Sequence, residues 1–177
     1  MIDDKKYIEL SHLNFDELNE DELQSIKDYN KQLIEKYPFL YPRNVWTDEI
    51  DPDYDYTYTW LDDMPDGWRL AFGLDLVDEI YQELVKYDFV DKYEIVQIKE
   101  KWGGLRWYDN GVPHDSKVYD IIRKYEEMSF KTCIKCGKTA TRISTGWISP
   151  FCDNCIEEKY SRPITKGDIP EYKIIVK

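Results

Sequence analysis

Lys131-Thr-Cys133-Ile-Lys-Cys136-Gly137 and Phe151-Cys152-Asp-Asn-Cys155 together hold every cysteine of this 177-residue chain. Two residues between the thiols let one tight turn present both sulfurs to one ion, and a second such turn completes a tetrahedron. The fifteen residues between the two pairs lie in the range of a four-thiolate zinc site. Gly137 follows the first pair, where the turn needs a residue that tolerates unusual backbone angles. Cys133, Cys136, Cys152 and Cys155 are therefore expected to bind one structural Zn2+. Four thiolates leave no open position for water or substrate, so the expected role is to hold a fold together. Two disulfides, or two unconnected reduced pairs, are the competing readings.

Upstream, Tyr93 to Trp102 and Leu105 to Asp109 read as two strands, with Gly103-Gly104 as a two-residue turn. That register sets Trp102 opposite Leu105 and Lys101 opposite Arg106. One face then carries Ile98, Trp102, Leu105 and Trp107 as core, and the other carries Lys99, Lys101, Arg106 and Tyr108. Like charges that face each other destabilise a strand pair, so an anion is expected beside Lys101 and Arg106. The chain's own acidic segment, or an external phosphate or carboxylate, would supply it.

Helices are expected on either side of the hairpin. In residues 19 to 36, Leu23, Ile26, Tyr29, Leu33 and Ile34 form one apolar stripe, with Asn19 as cap and Glu20, Asp21 and Glu22 at the positive end. Pro65 opens a second helix, to about residue 87, whose apolar positions Trp68, Phe72, Leu76, Ile80 and Leu84 are spaced by four throughout. A third spans about 115 to 129 through Val118, Ile121, Ile122, Tyr125 and Met128. Tyr172 to Val176 would add an edge strand. The fold class is α+β: a small antiparallel sheet packed with about three helices, plus a four-cysteine zinc ribbon. Residues 1–130 read as an acidic α+β domain, and residues 131–177 as the zinc-ribbon module and tail, packed on it.

Charge is unevenly distributed. The formal net of −12 comes from residues 1 to 66, where 18 acids face 6 bases, while residues 67 to 177 balance. Between Arg43 and Arg69 there is no base. Within that gap Tyr54, Tyr56, Tyr58 and Trp60 alternate with Asp55, Thr57 and Thr59, which predicts a strand with one buried aromatic face. Asp51, Asp53, Tyr54, Asp55, Tyr56, Tyr58, Asp62 and Asp63 are candidate partner-binding residues, because exposed tyrosines anchor interfaces and clustered carboxylates steer a basic partner. The run Asp51, Asp53, Asp55 is similar to a calcium loop but lacks its glycine and its terminal glutamate. A solvated loop is the plain alternative.

Catalysis has little support in the sequence. His12 and His114 are the only histidines, and no phosphate loop, nucleophile elbow or zinc-hydrolase histidine pair is present. No run of apolar residues is long enough to span a membrane. The opening Met-Ile-Asp-Asp-Lys-Lys is unlike a signal peptide, so the expected location is the cytoplasm, where thiols stay reduced. The overall negative charge predicts no direct binding of nucleic acid.

Ile98-Lys-Glu-Lys-Trp-Gly-Gly-Leu-Arg-Trp-Tyr108, the helix holding Tyr125-Glu-Glu-Met-Ser129, and the cysteine pairs around Gly146-Trp147 resemble a group of phage, prophage and gut-bacterial proteins. The resemblance covers roughly residues 60 to 160 and brings no catalytic residues. It implies a non-enzymatic acidic inhibitor from a mobile element, and by analogy a zinc-containing anti-CRISPR protein. The partner would be a basic nucleic-acid-binding protein such as a type II CRISPR effector nuclease. The alternatives are a zinc-ribbon protein that contacts nucleic acid through Lys131, Lys135, Lys138 and Arg142, and an enzyme of unassigned chemistry.

Overall fold

A computed structural model describes residues 2–43, 47, 49 and 51–170. The expected edge strand at 172–176 lies outside them, as do residues 44–46, 48 and 50 of the acidic segment. The fold is α+β, with a two-stranded and a three-stranded antiparallel sheet. No helix among the described residues is long and apolar enough to cross a membrane.

Helix α2 (Glu20–Lys36) forms as its sequence predicts. The Asn19 Oδ1 accepts the Glu22 amide at 2.9 Å, while the Glu22 carboxylate accepts the Asn19 amide at 3.1 Å. This reciprocal cap satisfies two amides that the helix itself cannot. Helix α1 (Asp4–Ser11) has no counterpart in the sequence reading. Asp3 caps it through the Lys6 amide at 2.8 Å, and it buries Tyr7, Ile8 and Leu10. Two turns are too short to display a recognisable stripe.

The helical run from α3 (Asp66–Trp68) to α4 (Leu74–Val85) passes through one π turn, Arg69–Gly73. The four-residue spacing explains this turn. On an α-helix each such step overshoots one full rotation by about 40°. A π turn inserts one residue and takes back most of the accumulated drift. Trp68, Phe72, Leu76, Ile80 and Leu84 are consequently all buried on one core.

Strands β1 (Ile95–Lys101) and β2 (Gly104–Asp109) form the expected hairpin, but the turn comes one residue earlier, so each residue's partner shifts by two and the faces are kept. The turn is Trp102-Gly103, both left-handed at φ 57° and 79°. Two central residues with positive φ make the turn whose twist suits a hairpin. Lys101 therefore opposes Gly104, Arg106 opposes Lys99, and Trp107 opposes Ile98. Trp102, expected in the core, is 67% exposed, whereas Ile98, Leu105 and Trp107 are buried. The shift has a steric reason. Gly104 sits so close to Phe130 that an added Cβ would lie 2.2 Å from its ring. The second glycine is thus spent on packing rather than on the turn.

Helix α5 (Val118–Ser129) packs on β2 and α4. Val118, Ile122 and Tyr125 are buried, but Met128 is exposed and Ser129 takes its place, accepting the Leu105 amide at 2.8 Å. The expected strand through Tyr54–Trp60 does not form among the described residues. Asp51 accepts the Asp53 amide at 2.9 Å and Asp55 accepts the Thr57 amide at 3.2 Å. Aspartates that bond the backbone two residues on make turns and take those amides from any ladder. Tyr56 is left-handed at φ 62°, and Trp60–Asp63 closes as a 3-10 turn capped by Thr59. Buried Thr59 beside exposed Tyr58 reverses the expected alternation.

Candidate metal centre and its surroundings

Strands β3 (Arg142–Ser144), β4 (Pro150–Phe151) and β5 (Ser161–Pro163) make a small sheet in the order β4-β3-β5. Two cysteine turns flank its β3-β4 hairpin. In the first, the Gly137 amide reaches the Cys133 carbonyl at 3.0 Å with Gly137 at φ 76°. In the second, the Cys155 amide reaches the Cys152 carbonyl at 3.0 Å.

The four Sγ atoms converge within 4.8 Å of one another. The Cys136 and Cys152 sulfurs are 3.6 Å apart. Four thiolates at about 2.3 Å from one ion would be separated by about 3.8 Å, so the cluster suits a tetrahedral ion such as zinc. The same separation rules out a bond between those two sulfurs, and all four cysteines are free. Burial and the neighbouring sulfurs push the Cys155 thiol up to about 12. Burial opposes ionisation of Cys152 as well, but hydrogen bonds from Cys155 and Cys136 draw it down to about 7. Crowded thiols cannot all ionise unaided, whereas a dication stabilises every thiolate at once.

The first cysteine turn is joined to the main core by backbone contacts. The Gly67 amide donates to the Ile134 carbonyl at 2.9 Å, and the buried Trp68 indole donates to the Thr132 carbonyl at 3.0 Å. A Cβ on Gly67 would lie 2.1 Å from the Cys133 carbonyl oxygen, so only glycine permits this approach. The second contact is at the hairpin tip. The Glu100 carboxylate accepts the Gly103 amide and the Trp147 indole, each at 2.6 Å. No periodic signal marks Glu100 or Trp147; the glycine before Trp147 is the only local hint of a loop.

The acidic segment divides into structural and exposed carboxylates. Asp62 pairs with Arg69 at 2.5 Å, and Asp4 pairs with the same guanidinium at 2.9 Å. Arg69 is buried and stacks 4.3 Å from the Tyr7 ring. Desolvation disfavours its charge, but Asp62 and Asp4 outweigh that and hold it protonated. The sequence does carry a sign of Arg69, as the first base after a long run of acids. Asp55 pairs with Lys27 at 3.0 Å. Asp51, Asp53 and Asp63 are exposed and pair with no cation among the described residues. Tyr54 and Tyr56 are half-buried in a cluster with Tyr41, and Tyr58 is 53% exposed.

Among the described residues the segment makes no ion pair with the hairpin. No ion pair among the described residues includes Lys99, Lys101 or Arg106. Lys99 instead lies 5.1 Å over Tyr108, and Arg106 donates to the Leu105 carbonyl at 2.6 Å. In the cysteine module, Arg142 is turned inward, donating to Ser161 Oγ at 2.7 Å, while Lys131, Lys135 and Lys138 are exposed. His12 meets Asp66 at 2.7 Å on the surface, and His114 meets Asp115 at 3.0 Å. No protein-family model, curated protein or solved structure matches this chain.

Proposed function

We propose that this protein is a non-enzymatic, zinc-stapled inhibitor that docks its acidic N-terminal face on a basic nucleic-acid-binding protein. One observation carries the reading: Asp51, Asp53 and Asp63 are exposed and form no ion pair among the described residues, and Asp51 lines the same surface hollow as the exposed Tyr58. Clustered carboxylates steer a basic partner, and a partly exposed tyrosine supplies an anchor at low entropic cost. The ion at the four cysteines is zinc on this reading, which is consistent with the sulfur spacing and the tetrahedral preference of that ion. The concrete form is inhibition of a type II CRISPR effector nuclease in a bacterial cytoplasm, whose nucleic-acid channel is strongly positive.

The docking surface is narrower than the sequence suggests. Asp62 belongs to the buried Arg69 cluster and Asp55 to the Lys27 pair, so both are assigned to the fold. Asp51→Asn/Asp53→Asn is the appropriate variant, because asparagine at 51 keeps the acceptor oxygen that takes the residue 53 amide. It should fold normally and associate more slowly with the partner, on the order of tenfold at low ionic strength. Salt at about 0.15 M, where screening acts over about 8 Å, should reproduce the loss in wild type. Target-DNA cleavage by guide-loaded effectors is the readout. Unimpeded cleavage with every effector tested would remove the concrete form. A cognate partner whose association rate ignores both the variant and salt would remove the general one.

A further inference from the structure

We infer that the hairpin tip and the adjoining loop of the zinc module form a surface for single-stranded nucleic acid, with bases stacked on Trp102 and Trp147 and phosphates held by Lys99, Lys101 and Arg106. This does not rest on the acidic face or on any protein partner.

The two indoles are among the most exposed large side chains, at 67% for Trp102 and 75% for Trp147. Glu100 ties the loop that carries one to the turn that carries the other. Trp147 is tethered at its edge by Glu100, which leaves the ring uncovered, and the other Glu100 oxygen holds the Gly103 amide of the turn. Ile148 lies against Gly103, at 3.4 Å from where its Cβ would be. Trp102 occupies a left-handed position at φ 57° that Asn or Gly would fill more readily. An exposed tryptophan at a strained position has no packing role to offset that cost, and such outliers point to function.

The cations point to the ligand's charge. Lys99, Lys101 and Arg106 share one hairpin face beside the tip, and Lys99 directly opposes Arg106. They make no ion pair among the described residues, although the Glu126 carboxylate lies close enough to feel the Arg106 charge. Trp147 stands on the Glu100 side, and Trp102 lies at the tip between the two sides. A strand crossing the tip would meet indole faces and then cations. An acidic polypeptide would satisfy the charges but not two bare aromatic faces, whereas every nucleobase has a face to stack. The net charge that argued against nucleic acid is an average. Residues 1 to 92 carry 24 acids and 9 bases, and residues 93 to 177 carry 12 acids and 15 bases.

The test uses the full metal-loaded chain and fluorescein-labelled oligo-dT and oligo-U, followed by anisotropy at low and physiological salt. Wild type should bind, with an affinity that falls as salt rises with a log-log slope of about −2 for three phosphates. Trp102→Ala and Trp147→Ala should each weaken binding on the order of tenfold while circular dichroism and Tm show the fold intact. Lys99→Gln/Lys101→Gln should flatten the salt slope to about −0.7. Asp51→Asn/Asp53→Asn should not weaken it, which separates this surface from the acidic face. No anisotropy change with wild type at low salt would overturn the inference. So would oligonucleotide binding that survives loss of both tryptophans, or a poly-glutamate peptide that binds as well as either oligonucleotide.

Discussion

Residues 54–60 and residues 95–109 both alternate aromatic or apolar residues with polar ones, yet only the second stretch forms strands. The difference lies in what the intervening residues do with the backbone. In the hairpin they are Lys, Glu, Gln and Arg, whose long side chains leave the amides to the ladder. In the acidic segment Asp51 and Asp55 capture nearby amides and fold the chain into turns. The hairpin also brings its own partner strand across a two-residue turn, whereas the acidic segment is held by distant groups. Asn30 donates to the Tyr56 carbonyl at 2.9 Å, and Arg69 holds Asp62. Alternation therefore specifies a strand only where an edge is available and the amides are free to pair with it.

Metal removal should separate the two regions most strongly. Binding at a four-thiolate site is worth on the order of 10 kcal/mol or more and is folding energy for whatever depends on it. Chelation, or Cys133→Ser, should release protection from hydrogen exchange in β3–β5 and at the hairpin tip, where Trp147 reaches Glu100. Amides of residues 57–63 should stay protected. Equal loss in both regions would show that the acidic segment depends on the metal too.

Next in size are two truncations. Trp107 is 5% exposed and donates to the Tyr93 hydroxyl at 2.8 Å, so Trp107→Ala should cost about 3–5 kcal/mol in urea unfolding. Arg69→Ala should cost a similar amount, about 3–5 kcal/mol, by leaving Asp4 and Asp62 without their cation. A loss well below that at Arg69 would mean that the acidic region is held by its tyrosines rather than by this cluster.

A smaller change of opposite sign is expected at the turn. Trp102→Gly relieves a left-handed side chain and removes little packing, so it should stabilise by about 1 kcal/mol. For a chain of this length that is a rise in Tm of about 2–4 °C. A lower Tm would place Trp102 in the core, as the register with Gly103-Gly104 as the turn has it. The smallest effect belongs to the exposed acids. Asp51→Asn/Asp53→Asn should change stability by no more than about 0.5 kcal/mol.

Sequence by itself determined the elements whose signals are local. The cap at Asn19, the apolar stripe of α2, the four-spaced helix, the hairpin and the cysteine set each repeat or close within a few residues. Even the π turn was written in the spacing of the second helix, though only the folded chain makes that visible. Tertiary structure decided the rest. Whether Gly103 or Gly104 served the turn depended on Phe130, which packs against Gly104 from a separate element. Arg69 meets Asp4 across 65 residues, and Glu100 meets Trp147 across 47. Such pairings carry no periodicity, because each requires only one residue at each end and a backbone that brings them together.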